Sequence, residues 1–213
     1  MAARKNGRLY YGSRFVRGAK SELSKKEVMI MTVKEILLAA ATELNVLDEV
    51  EGYLSGTSTE GEAQANALLR CFNLVENEVA LDYLPLLAED EMETETGTIY
   101  YAKLSREAAR VVGVWDEWGN AVPFTLFPDY LKTQPNKVRV RYTYLPREKT
   151  FKDKSDFTLQ ASVRLFAYGV AAEYALASGL FEEAAVWDQK YKDAIKAAYC
   201  AKPSRRLRSR RWA

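Results

Sequence analysis

The apolar pattern of this chain changes period twice, and that switch limits the folds open to it. Residues 31–88 and 151–200 space their apolar side chains as amphipathic helices do, whereas residues 98–145 carry runs typical of strands. Neither helical half has enough partners of its own to bury its apolar stripe. The β-patterned part is therefore predicted to be an insertion into one helical unit.

One helix and a short helical stretch are predicted at the start of the first helical half. Thr32 and Glu35 form a capping box, which predicts a helix that ends near Leu44. A short helical segment, residues 47–54, follows it.

A longer helix completes this half. Thr59 and Glu62 form a second capping box at its start. Its apolar stripe is interrupted by one polar residue, Glu76, and Pro85 ends or kinks the helix because proline lacks a backbone N–H.

The second helical half is predicted to hold two helices. Ser155 or Asp156 is placed to cap the first of them, and Gly179 to close it. The last helix begins at Leu180 or Phe181 and has an ordinary charged solvent face.

The middle of the chain is predicted to form an acidic loop and three or four short antiparallel strands. Residues 89–95 are mostly acidic and are interpreted as a solvated loop, since they lack the spacing of a calcium-binding loop. Residues 111–115 and 122–127 predict a hairpin whose turn is Gly119-Asn120. Residues 137–144 alternate strictly between polar and apolar side chains, as a half-buried strand does.

The predicted fold class is mainly α, a four-helix bundle with a small antiparallel β insertion and an extended basic C-terminal tail. Its parts along the chain are a basic N-terminal extension (1–30), the first half of the bundle (31–88), the acidic loop and β insertion (89–150), the second half of the bundle (151–200) and a basic docking tail (201–213).

Charge is distributed unevenly along the chain. Residues 1–28 hold eight basic and two acidic residues, and residues 199–213 hold six basic residues and no acid. Residues 29–198 hold 17 basic and 27 acidic residues, so an acidic body separates two basic ends. Such asymmetry indicates binding partners and says little about the fold.

The N-terminal extension has two interpretations. Codons for residues 25–28 (Lys-Lys-Glu-Val) can contain a bacterial ribosome-binding sequence, and Met29 and Met31 follow directly. One hypothesis is that native translation starts at Met29 or Met31 and that residues 1–28 are a leader. The other is that these residues are a genuine basic arm.

The sequence offers little catalytic chemistry. It contains no histidine and two distant cysteines, which removes the commonest general base and the commonest metal ligand. Neither a phosphate-binding glycine loop nor a G-x-S-x-G nucleophile motif is present. We therefore expect no catalytic, cofactor-binding or metal-binding residues, no cofactor and no enzymatic activity.

Aromatic residues are concentrated in the β-patterned part. An aromatic sheet face could stack single-stranded nucleic acid, but the acidic body disfavours phosphate, and cross-strand packing is the preferred interpretation. The residues concerned are Tyr100, Tyr101, Trp115, Trp118, Tyr142 and Tyr144.

The C-terminal tail is the candidate partner-binding site. Its arginines can bind nucleic-acid phosphates or form forked pairs with the carboxylates of a partner protein. A tryptophan among arginines is typical of a protein interface, which favours protein docking. The predicted docking residues are Arg205, Arg206, Leu207, Arg208, Arg210, Arg211 and Trp212.

Five segments carry a resemblance to a known family. Residues 116–120, 127–131 and 140–146 resemble the β insertion of the head–tail connector (adaptor) proteins of tailed bacteriophages, and residues 167–174 and 179–184 resemble the third and fourth helices of that family. The resemblance covers roughly residues 31–213. It rests on similar local residue types and on the order of the elements, and it includes no diagnostic chemical motif.

The resemblance implies a structural virion protein. It implies a homo-oligomeric ring in the neck, usually a dodecamer, with the portal protein above and the tail or a second neck protein below. DNA would pass through the lumen without sequence-specific contact, and no membrane would be involved. The C-terminal segment would dock into the portal, and assembly would take place in the host cytoplasm. Another neck or tail-completion part of similar build, and a nucleic-acid-binding regulatory protein that uses the arginine-rich tail, stay open as alternatives.

Overall fold

A computed structural model describes residues 31–157 and 160–200, without the side chains of the last two. Five α-helices and six β-strands lie in this part of the chain. The helices are α1 (Val33–Glu43), α2 (Leu47–Leu54), α3 (Glu62–Glu78), α4 (Val163–Ala177) and α5 (Phe181–Cys200). The strands are β1 (Leu86–Thr94), β2 (Thr98–Tyr100), β3 (Ala108–Asp116), β4 (Thr125–Leu126), β5 (Tyr130–Lys132) and β6 (Asn136–Tyr144).

The predicted four-helix bundle with a small β insertion is wrong. The described residues are 46% helical and 23% strand, a mixed α/β architecture. Its strands form two three-stranded antiparallel sheets, in the orders β1-β6-β3 and β2-β5-β4. We call these six strands and their connections the β unit.

The main cause of the error is the acidic stretch, which is strand β1 and not a loop. Glu89, Glu91 and Glu93 point to solvent, while Ala88 and Met92 pack against the β unit's core. The alternation of a half-buried strand is therefore present. This alternation is hard to recognise in the sequence because Asp90, a polar residue, occupies one of the inward positions.

Some of the predicted helix starts are confirmed and others are wrong. The capping box at Thr32 and Glu35 is confirmed in both of its hydrogen bonds, and α2 has the predicted bounds. The second box is wrong, since α3 begins after Gly61 without a side-chain cap. The cap of α4 is Ser162 and not Ser155 or Asp156.

The helical core is centred on α4, which packs against α1, α3 and α5. Phe166 of α4 has its ring centroid 5.8 Å from that of Phe72 and 5.6 Å from that of Phe157. Gly169 lets α3 and α5 approach α4 closely, because a Cβ atom there would lie 2.7 Å from Val75 Cγ1. Helices from both halves of the chain thus share one core.

A second core lies within the β unit. Its fully buried members include Ile99, Leu131, Val140 and Tyr142, so the two sheets pack together through their inward faces. Tyr144, at the end of β6, packs against both this core and the helical core. It therefore joins the two parts of the molecule.

The segment between β6 and α4 fastens the β unit to the helices. Backbone hydrogen bonds join Ser155 N–H to the Met31 carbonyl and Val33 N–H to the Asp153 carbonyl. The Asn73 amide both donates to the Lys149 carbonyl and accepts from the Lys149 N–H. This connecting segment, residues 145–157, therefore crosses α3 and the start of α1.

Candidate interaction surfaces

The predicted docking tail lies outside the described residues. Arg205, Arg206, Leu207, Arg208, Arg210, Arg211 and Trp212 follow α5, whose last residue is Cys200. Their role as a docking element therefore stays a prediction.

The β1-β6-β3 sheet has the longer strands and is called the larger sheet; the β2-β5-β4 sheet is the smaller one. The outer face of the larger sheet carries a ladder of opposite charges. In the register of β1 and β6, Glu89 lies opposite Arg141, Glu91 opposite Arg139 and Glu93 opposite Lys137. Arg141 donates to the Glu89 carboxylate, and Glu91 lies 3.3 Å from Lys137 Nζ. The strongest acidic run of the sequence is thus balanced by cations on the neighbouring strand.

Aromatic residues of the β unit are dispersed and do not form one stacking face. Tyr142 is buried in the β core, and Trp115 is covered by Arg141, whose guanidinium carbon lies 4.8 Å from the indole centroid. On the smaller sheet, Tyr130 packs against Tyr100 and stacks on Phe127 at 4.7 Å between ring centroids. Contacts between aromatic rings on neighbouring strands agree with the preferred interpretation, cross-strand packing. Phe127 and Tyr130 were not among the aromatics singled out from the sequence.

Asp90 organises the inner side of the β unit. Its carboxylate accepts hydrogen bonds from the Ser105 N–H, the Ser105 hydroxyl and the Tyr142 hydroxyl, each at 2.7 Å. Burial opposes ionisation, but these three donors together hold the pKa of Asp90 below its usual value. The network fixes the chain around Ser105 against strand β6.

Glu76 is the buried acid of the helical core. One carboxylate oxygen accepts from the Ser155 hydroxyl at 2.7 Å and from the Asp156 N–H at 3.1 Å. The other has no hydrogen-bond partner among the described residues. Burial raises the pKa of Glu76, and the hydrogen bond from Ser155 and the charge of Lys149 only partly offset this.

This polar cluster explains why Ser155 and Asp156 do not cap α4. Both residues hold Glu76 instead, and Asp156 also pairs with Lys149 at 3.0 Å. The only sign of this cluster in the sequence was Glu76, the single polar residue in the apolar stripe of α3. No signal in the sequence pointed to the partners of Glu76, which lie about 80 residues further on.

The turn after β3 presents one exposed tryptophan on a fixed backbone. The carboxylate of Asp116 accepts hydrogen bonds from the Trp118 N–H at 3.0 Å and the Asn120 N–H at 2.7 Å. Gly119 has φ of +84°, which favours glycine, and a turn does lie at the predicted place. The predicted hairpin is wrong, because β3 pairs with β6, and β4, within residues 122–127, pairs with β5. The side chain of Trp118 is 72% exposed, the highest value among the exposed large apolar residues of the described chain. We call residues 116–120 the tryptophan turn.

A groove of about 590 Å³ lies between the start of α4 and the last turns of α5. Small side chains line part of it, among them Ala161, Ala194 and Ala197, and Arg164 and Lys190 stand at its sides. Lys190 is held in place by aromatic contacts, with its Nζ 3.8 Å from the centroid of the Trp187 ring. We call this feature the α4–α5 groove; it was not foreseen from the sequence.

Comparisons with models of protein families and with curated proteins found no match for this chain. Within the described residues, no helix is both long and apolar enough to cross a membrane.

Proposed function

We propose that this protein is a structural subunit of a phage head–tail connector ring, which joins the portal to the tail and extends the DNA channel. The order of elements supports the proposal. Helices α1–α3 and α4–α5 share a core, and the β unit is inserted between them. The resemblance implies the same general plan, a β insertion between two helical halves, although the described chain has three helices before the insertion and not two.

The observation that carries the proposal is the apolar surface left exposed on the helices. Leu74 and Leu81 are 62% and 56% exposed at the end of α3 and just after it, and Phe181 and Val186 are 70% and 55% exposed on α5. Large apolar side chains at the surface mark contacts with other proteins when they cluster. Phe181 does so with Leu176, which is 50% exposed and lines the same surface pocket between α4 and α5. A ring subunit needs two different contact faces, one for each neighbour.

The charge ladder suits passage of DNA. A surface rich in unpaired cations would bind phosphates and hold the DNA. On the larger sheet the cations of β6 lie opposite the acids of β1, so their attraction for phosphate is reduced. We therefore propose that DNA passes along the subunit without being held tightly and without sequence-specific contacts.

Co-sedimentation with the purified portal ring of the same phage tests the proposed function. The full chain is compared at physiological salt with a variant that lacks Lys202–Ala213, and pellets are imaged for rings. We expect the full chain to bind as a ring and the truncated chain to stay in the supernatant.

Three other outcomes have distinct meanings. Equal binding of the truncated chain would remove the docking role of the tail and leave the ring in place. Failure of the full chain to bind portal or form rings would overturn the connector function. DNA binding that falls steeply with salt would favour the nucleic-acid-binding alternative.

A further inference from the structure

We infer that the tryptophan turn of one copy docks into the α4–α5 groove of the next copy, so that the chain associates head to tail. The inference rests on the proposed ring function and names the contact that would build the ring. Both surfaces are defined above, the turn by residues 116–120 and the groove by the facing sides of α4 and α5.

The turn has the properties of an interface anchor. Trp118 is largely exposed to solvent, although a tryptophan gains much from burial. Hydrogen bonds from the Trp118 and Asn120 N–H groups to Asp116 fix the backbone that carries it. Little conformational freedom would be lost when such a turn binds, and preorganised aromatic anchors dominate many interfaces.

The groove fits an aromatic ring in size and lining. Its volume of about 590 Å³ lies within the range of about 300–1,000 Å³ that holds small organic ligands. Alanine methyl groups form apolar walls without filling the space. An indole would therefore be buried there against apolar atoms.

Charge selects the occupant among the segments of this chain. Arg164 and Lys190 flank the groove, and the acid beside them, Asp193, already pairs with Lys196 at 3.1 Å. The basic segments 1–28 and 199–213 would be repelled by these cations. The tryptophan turn instead carries Glu117 next to Trp118, so an acidic group would meet the cations as the ring enters.

The occupant must come from a second copy. The side chain of Trp118 is solvent-exposed in its own chain and so does not fill its own groove. A contact between two different surfaces of identical chains is heterologous, and it closes into a ring when the rotation between copies permits.

Sedimentation velocity on the full-length chain over a concentration series tests the inference. We expect the unmodified chain to self-associate, and Trp118→Ala and Ala197→Trp each to weaken association at least about tenfold, since anchors of this kind carry much of the binding energy. Ala197→Trp fills the groove from an exposed helix position. Tyr100→Ala, an exposed aromatic elsewhere on the β unit, is the matched control and should leave association unchanged.

Mixing the two variants is the decisive step. Each retains one intact surface, so an equimolar mixture should form heterodimers and no larger species. Exchange of charges gives a second readout: Glu117→Lys and Arg164→Glu should each weaken association, and the double variant should recover it.

A monomeric unmodified chain at every concentration would overturn the inference. So would association that Trp118→Ala and Ala197→Trp leave intact, or variants that fail to complement in the mixture. Rings on the portal that persist in the Trp118→Ala variant would leave the connector function standing and assign the contact between copies to other surfaces.

Discussion

Glu76 in the helical part and Asp90 in the β unit are both held by hydrogen bonds, but their pKa values shift in opposite directions. Glu76 meets two donors on one oxygen and none on the other among the described residues, so burial dominates and raises its pKa. Asp90 is less buried and meets three donors, which lower its pKa. Ionisation of such an acid thus depends on the depth of burial and on how many donors face the carboxylate.

This difference reverses the effect of pH. A carboxyl whose pKa is lowered by folding stabilises the protein above its unfolded pKa, and the contribution is lost as pH falls through the folded value. That is the case of Asp90. Glu76 has a raised pKa, so its contribution is present below the unfolded value and is lost as pH rises through the folded value.

The largest effect is expected in the aromatic centre of the helical core. Phe166→Ala removes a fully buried ring that contacts Phe72 and Phe157, and we expect a loss of about 3–5 kcal/mol in the free energy of unfolding. Urea denaturation measures it. Leu74→Ala, at an exposed position of α3, should stay within about 0.5 kcal/mol.

The same variant tests how far the two parts are independent. Tyr144 packs on both cores, so we expect the β unit to be destabilised together with the helices. Native-state hydrogen exchange of β6 amides should therefore speed up in Phe166→Ala. Unchanged exchange in β6 would show that the β unit is stable by itself.

Asp90→Asn should have the next largest effect. An amide cannot accept all three hydrogen bonds, so we expect a loss of about 1–2 kcal/mol at pH 7, within the range for bonds to a charged acceptor at a partly exposed site. The difference from the unmodified protein should shrink as pH falls, because the unmodified Asp90 then becomes protonated as well. Glu93→Gln, on the outer face of the same strand, is the control and should cost little at either pH.

Glu76→Gln should change stability in the opposite direction and by less. Glutamine keeps an oxygen that can accept from Ser155 and Asp156, and it removes the cost of ionising a buried group. We expect the variant to be more stable than the unmodified protein at pH 8 and nearly equal to it at pH 4. Thermal unfolding at the two pH values measures this, with the exposed acid Asp82→Asn as a control whose effect should not depend on pH in this way. A variant that is less stable at pH 8 would show that the charge of Glu76 is needed by Lys149.

Local signals in the sequence were sufficient for some elements. The capping box at Thr32, the bounds of α2 and the tryptophan turn all depend on residues a few positions apart. The glycine that closes α4, Gly179, has the positive φ of +77° that such a cap requires.

Features that depend on distant residues were missed. Strand β1 is acidic because Arg141, Arg139 and Lys137 lie opposite its glutamates, and that pairing spans about 50 residues. Ser155 has the chemistry of a helix cap but is engaged by Glu76 from another helix. The α4–α5 groove arises from the packing of two helices, so no single stretch of sequence indicates it.

The smallest effect is expected on the charge ladder. Glu91 lies 3.3 Å from Lys137 Nζ and 3.7 Å from the nearest guanidinium nitrogen of Arg139, but all three side chains are substantially exposed. Water screens such pairs, so Glu91→Gln should lower the free energy of unfolding by about 0.2–1 kcal/mol at low salt and by less at high salt. Urea denaturation at two salt concentrations measures the difference. Asp188→Asn on α5, which breaks an exposed pair with Lys192, is the matched control in a helix.

A loss above about 2 kcal/mol for Glu91→Gln would mean that the ladder acts as a coupled network, since isolated surface pairs do not reach that value. The acids of β1 would then stabilise the sheet through several coupled ion pairs. In that case the charges on the outer face of the β unit would contribute more to stability than the isolated pairs on the surface of the helices.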